Sequence, residues 1–394
     1  MWLVLLAGCA AQPPPPPPPS VWGDVIVAGT TEQINAPGMV AATERTTLTW
    51  IGADSAGIHH DAIAIQNGSI TPVITLPLPP ISPRNSRLFP AASVRNGHLL
   101  WLDVDGNGVS QLFSGVVDET LGVFRGPLDV TEGGALCFDG FQRQDGGVDV
   151  LWADADNMLH SATIDPSGRV LRVRELLADA GCPAVTRTFD APYVLWQHDE
   201  TLLVGRFVGA GLLDVTAAVQ APVVQNADRV RELRAGSDGT TLYAFWNINR
   251  GDGTDETWFT GGLPGGKWSA SRRLTALPDE TARYHTTLNT GITFAATESA
   301  GGFTAAWTAP LRGVTGVLPV AAEVNGDRLS ILYLQGGAVV GYQEVLPTRP
   351  LLGSPELQLD TDRHLYLAWS EPTDVGAARM KLTSTRDLLS GASS

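Results

Sequence analysis

The chain has 394 residues, 43% hydrophobic and 17% charged, with 26 Lys and Arg against 41 Asp and Glu and a net charge of −15. That balance excludes nucleic acid as a partner, because phosphate binding needs clustered cations. The apolar fraction excludes a disordered chain, and 43 glycines point to many tight turns between strands.

The chain opens "MWLVLLAGCAAQPPPPPPPSVWGD". Leu6-Ala7-Gly8-Cys9 resembles the lipobox of bacterial lipoproteins. The resemblance implies cleavage before Cys9 and lipid on its thiol. A spanning helix needs about 20 apolar residues, more than the opening run supplies. Pro13–Pro19 has fixed φ and no backbone donors. It is expected to form a stiff polyproline spacer roughly 20 Å long at ~3.1 Å per residue. The expected organisation is a signal segment at 1–8, a lipidated cysteine and spacer at 9–20, and a globular domain at 21–394. The expected location is the cell envelope, at the outer membrane or cell surface, with membrane contact through the lipid only.

Beyond the spacer, "WGDVIVAGTT" (22–31) reads as a strand outside the first repeat. In that repeat "GMVAATE", "TTLTWIGAD", "GIHHDAIAIQ" and "SITPVITLP" read as four successive strands. A turn followed by an alternating stretch ending in Trp then recurs at Trp50, Trp101, Trp152, Trp196, Trp246, Trp307 and Trp369, with Tyr333 in a further copy. The first five tryptophans are spaced by 51, 51, 44 and 50 residues. About four strands per unit at such a period predict an all-β β-propeller of four-stranded blades. A Trp at one place in each unit is expected to pack against the neighbouring blade. "RVRELLADAG" (172–181) falls where a fourth strand belongs. Eight motif copies allow eight blades. Merging the irregular Trp307–Tyr333 pair gives seven, which the spacing favours, with the N-terminal strand completing the last blade.

This pattern resembles the sialidase-like and BNR-like propellers of exported bacterial proteins, over most of residues 35–390. The resemblance is architectural. The Asp-box pattern of that family has its nearest counterpart in "GSDGTTLYAFW" (236–246), where the Trp is displaced. "SRLFP" (86–90) is not the family's arginine motif, so no catalytic residue carries over.

"DVDGNGVSQ" (103–111) sets Asp103, Asp105 and Asn107 at alternate positions before Gly108. This resembles calcium loops of dockerins and integrin propellers, and it also suits a plain hairpin. His59 and His60 are adjacent on a strand and point to opposite faces, which argues against a shared ion. Cys137 and Cys182 stand one repeat apart, 15 and 14 residues before their tryptophans. Oxidising surroundings permit a disulfide between them. The loops after the second strands carry Asp103 and Asp105, Asp154 and Asp156, His198 and Asp199, Asp252 and Asp255, and Glu371. They are expected to gather on one face as a ligand face. The expected function is a tethered, monomeric module that binds a ligand (a glycan, a protein or a cation) or scaffolds an assembly. The alternative is a glycan-active hydrolase or lyase. No cofactor is implied other than calcium.

Overall fold

The computed structural model describes residues 23–31, 37–42, 44–78, 85–90, 96–104, 106–131, 133–188, 190–209, 211–220, 231–237, 241–249, 255–273, 356–359, 364–373, 378–386 and 388, together with the backbone of the strands between 282 and 347. Cys9, the proline spacer, Asp105 and Asp252 lie outside the described residues. The described residues form strands and turns with no helix, in seven antiparallel sheets.

The first sheet pairs Gly38–Ala42, Arg45–Asp54 and Gly57–Gln66 in order. Asn67 and Gly68, both with positive φ (48° and 76°), make the tight turn that returns the chain along the third strand. The fourth strand expected over "SITPVITLP" is split. Ser69–Ile70 and Ile74–Leu76 each pair with Gly57–Gln66. Pro72, which has no N–H to give to the ladder, sits between the two pieces.

Three sheets repeat the four-strand order without interruption. The second holds Asn85–Pro90, Gly97–Val104, Ser110–Val117 and Val123–Asp129, and the third holds Cys137–Gln142, Val148–Ala153, Leu159–Ile164 and Val170–Leu177. The fourth holds Ala184–Arg187, Pro192–His198, Thr201–Val208 and Gly211–Gln220. The fifth ends in a two-residue strand, after Arg231–Ser237, Leu242–Asn249 and Asp255–Gly262. The sixth departs from four strands. Its six strands run consecutively from Ala282–Asn289 to Ala338–Pro347. Trp307 falls on its third strand and Tyr333 on its fifth, not on second strands. The seventh sheet joins Glu356–Leu359, Leu365–Pro372 and Ala378–Ser384 to the N-terminal strand Ile26–Thr31, which pairs with Ala378–Ser384.

Elsewhere the repeat tryptophans do what their spacing implies. Trp50, Trp101, Trp152, Trp196, Trp246 and Trp369 all sit on second strands and are buried. Five of them fill the core between their own sheet and the one before it. Trp101 packs with Ala62, Ala64 and Leu76 of the first sheet, and Trp152 with Phe89, Leu100 and Leu112 of the second. Trp196 meets Phe141 and Leu151 of the third, and Trp246 meets Ala184, Leu195 and Val204 of the fourth. Trp50 packs with Tyr366, Ala368 and Met380 of the seventh, joined by Ile26 and Ala28 from the N-terminal strand. Truncating a buried aromatic of this kind costs about 3–5 kcal/mol. A sheet with two apolar faces cannot stand alone, so these cores oblige the sheets to stack.

The first strands of consecutive sheets are neighbours. Gly38–Ala42 lies beside Asn85–Pro90, which lies beside Cys137–Gln142, and the series continues through Ala184–Arg187 to Arg231–Ser237. Ala282–Asn289 adjoins both Arg231–Ser237 and Glu356–Leu359, and Glu356–Leu359 adjoins Gly38–Ala42.

Candidate functional site

Two arrangements on the inner strands and their flanking turns stand out. The first is a hollow of about 580 Å³ where sheets three, four and five meet. The turn between the second and third strands of sheet three supplies Asn157, and the corresponding turn of sheet four supplies His198 and Asp199. The segment entering the first strand of sheet four supplies Asp179, Ala180, Gly181 and Cys182. Cys137 and Cys182 line the wall as a disulfide, with Cα atoms 5.7 Å apart. Leu136, Ala153 and Leu233 give the hollow its apolar surface.

Backbone bonds fix this wall. Ala180 N–H donates to Asn157 O at 2.8 Å, and Gly181 N–H donates to Gln197 O at 2.8 Å. Gln197 Nε2 donates to Asp199 O at 2.7 Å. His198 Nδ1 is 2.8 Å from Asp179 O. A carbonyl oxygen only accepts, so Nδ1 carries a proton, and in the neutral form of the ring Nε2 is then an acceptor. That Nε2 lies 3.9 Å from Asp199 Oδ2.

The second arrangement is a charged level on the inner strands. The residue opposite the one preceding each repeat Trp is Gly38, Arg87, Asp139, Ala184, Arg234 and Glu356 in sheets one to five and seven. Asp139 is fully buried and ties three sheets together. Arg87 of sheet two pairs with its Oδ1, and Val185 N–H of sheet four donates to its Oδ2 at 2.8 Å. Its own neighbour Gly140 N–H also donates to Oδ1, at 2.8 Å. Glu356 accepts from Gln358 Nε2 at 2.8 Å. Burial pushes the Glu356 carboxyl up to about 7; Arg87 and the Gln358 bond pull against this, and the charge on Asp139 adds to it.

The residues expected to form an acidic face divide. Asp154, Asp156, His198 and Asp199 sit in or at the ends of hairpins between second and third strands. Asp154 is engaged in its own turn. It accepts from Asp156 N–H and Met158 N–H at 2.9 Å and lies 2.8 Å from His160 Nε2. Burial opposes ionisation there, but those bonds together hold the carboxyl below its usual range. Asp103 and Glu371 are placed in the interior rather than on the face expected of them. Asp103 accepts from Val104 N–H at 2.7 Å, while Asn107 is exposed in the hairpin beyond it. Glu371 pairs with Lys381 and accepts from the Trp369 indole at 3.2 Å. Asp255 opens the third strand of sheet five, and its side chain is outside the described residues. Among the described residues no three His, Cys, Asp or Glu side chains converge as a metal site.

Sequence reading missed Arg87, Asp139, Glu356, Asn157 and Asp179. Counting back 13 or 14 residues from Trp101, Trp152 and Trp369 reaches the first three, each the one charged residue of its strand. The last two are positive-φ turn residues, at 59° and 56°, and read in sequence as turn formers.

The chain matches no protein-family model and no curated protein. It is similar in structure to BBS1N in complex with ARL6DN, with a TM-score of 0.51 and 11% identity over 92% of this chain and 96% of that one. It is also similar to the GH93 α-L-arabinofuranosidase of Fusarium graminearum in complex with arabinobiose, with a TM-score of 0.51 and 12% identity over 78% of this chain and 95% of that one. The fold is that of a β-propeller. At such identities the likeness speaks to the propeller scaffold alone, and a scaffold does not fix an activity. The resemblance drawn from the Trp repeats to sialidase-like and BNR-like propellers stands at that level.

Proposed function

We propose that this chain is a surface-tethered binding propeller. Seven blades, one of them six-stranded, form a ring that the N-terminal strand closes. Lipid on Cys9 and the Pro13–Pro19 spacer hold this monomeric ring off the membrane of the cell envelope. The hollow between sheets three, four and five receives the ligand. The observation that carries this reading is the hollow itself: fixed backbone, an apolar wall, and a lining that includes Asn157, Asp179, His198 and Asp199. A panel of glycans, peptides and amines titrated into the full chain tests it. Binding weakened by His198→Ala supports the reading, and a panel with no member that binds overturns it. Palmitate labelling tests the anchor, and label persisting in a Cys9→Ala chain removes it.

A glycan-active enzyme is the second reading, favoured by Glu356. A carboxyl that keeps its proton up to about pH 7 meets the requirement for a general acid, and Asp139 is a second carboxylate nearby. Turnover of any panel glycan that survives Glu356→Gln would refute this role.

A further inference from the structure

We propose that the hollow beside the Cys137–Cys182 disulfide recognises a primary alkylammonium group, carried on a lysine side chain or on a free diamine. The inference rests on the hollow being the ligand site and names the chemistry it selects.

His198 and Asp199 present an unfilled pair of acceptors. His198 Nδ1 is committed as a donor to Asp179 O, so in the neutral ring Nε2 is a lone-pair acceptor. Facing it at 3.9 Å is Asp199 Oδ2, which as a carboxylate also only accepts. Two acceptors at that separation do not bond to each other. Both come within hydrogen-bond reach, about 2.8 Å, of one nitrogen set between them. An ammonium has three donors and a positive charge, so it satisfies both acceptors and pairs with the carboxylate. A hydroxyl has one donor and leaves one acceptor without a partner.

The surroundings select the rest of the ligand. Asp179 and Asn157, both exposed, line the same hollow and add polar groups to it. Among the described residues no Lys or Arg lines the hollow. Leu136, 58% exposed, joins the disulfide, Ala153 and Leu233 in an apolar strip that suits methylene groups. Among the described residues no Phe, Tyr or Trp lines the hollow to stack a sugar face. A volume of about 580 Å³ admits a four-carbon stem together with the backbone that bears it. The net charge of −15 favours the approach of a cation from solution.

The test uses the full chain and the imidazole C–H resonances of His198, assigned by comparison with His198→Gln. Three probes are titrated: Nα-acetyl-lysine N-methylamide, the norleucine counterpart that lacks the ammonium, and 1,5-diaminopentane. The lysine amide is expected to shift the His198 signals and the norleucine amide to leave them in place. Asp199 is exposed and makes no fold-supporting side-chain bond, so Asp199→Asn tests the same point without threat to folding. It is expected to weaken the lysine amide about three- to fivefold, the size of one exposed charge pair. A response to the diamine and not to the lysine amide supports the ammonium and assigns it to a free amine. Equal responses to the lysine and norleucine amides overturn the proposal. So does a response to a neutral glycan with none to either amine, in which case the hollow remains a ligand site. If no glycan, peptide or amine moves the His198 signals, the proposal and the reading beneath it fall together.

Discussion

Asp139 is the residue whose loss should be felt most widely. Asp139→Ala removes the counter-charge of Arg87, a side chain only 12% exposed, and leaves Val185 N–H without its acceptor. Breaking a buried ion pair from one side costs about 3–5 kcal/mol. An orphaned backbone donor adds about 1–3 kcal/mol. Because the two penalties share one site, we expect about 4–6 kcal/mol in total. For 394 residues the unfolding entropy near the midpoint is about 0.8 kcal/mol per kelvin, so the melting temperature should fall by about 5–7 °C. Asp139→Asn keeps the volume and one acceptor oxygen, and should lose about half as much. Calorimetry on the wild type, Asp139→Asn, Arg87→Met and the double variant closes a cycle. Its coupling energy should exceed about 1.5 kcal/mol. A drop of less than 1 °C in Asp139→Ala, or additive single variants, would refute the view that this carboxylate braces three blades.

Four further outcomes follow from other contacts. A Cβ at Gly29 would stand 2.5 Å from Trp50 Cζ2, so Gly29→Ala should cost about 1–3 kcal/mol by overpacking the junction of the N-terminal strand with the first sheet, read by urea unfolding. Reducing Cys137–Cys182 frees a loop of 45 residues, worth about 4 kcal/mol in chain entropy; melting with and without reductant checks this, and Cys182 is exposed enough to be reached. His60 is buried with neither nitrogen bonded, and burial, then the neighbouring His59, lower its pKa from 6.5 to about 4. Between those values only the unfolded chain takes up the proton, so stability falls as pH drops from 6.5 towards 4, and His60→Leu should flatten that stretch of the profile. Glu356 acts in the opposite sense. Its folded pKa lies above the ordinary 4.5, so the folded chain holds the extra proton and stability falls as pH rises from 4.5 to about 7; Glu356→Gln should remove that slope.

The repeat tryptophans were legible because every blade needs one large apolar side chain at the same height to fill the space before the preceding blade. A period near 50 residues records that need directly. The sixth sheet was less legible. Alternation announces a strand without saying which strand of the unit it is, so Trp307 looked like a second-strand residue although its strand is third. The proline that divides the fourth strand of sheet one was visible in sequence, but its effect depends on which carbonyls and amides of Gly57–Gln66 stand opposite. Asp139 and Arg87 were silent because they are 52 residues apart and each explains the other only after sheets two and three stack. His198 and Asp199 were found from their place after Trp196. Their meaning came from Asp179, whose carbonyl fixes the imidazole and is 19 residues away.

The N-terminal strand also sets a timetable for synthesis. Ile26 pairs with Leu382, so this strand leaves the ribosome long before its partner does. At about 5–20 residues per second the delay is roughly 20–70 s. Through that interval a six-residue segment, IVAGTT, has no partner strand while the intervening sheets assemble. Its glycine and two threonines make it a poor template for other chains, since they interrupt the run of large apolar residues that drives edge pairing. A chain released before residue 378 would lack the strand that Ile26–Thr31 pairs with, and would carry an open edge on its last sheet. Quality control that senses exposed strand edges would therefore distinguish complete from truncated copies by this one pairing.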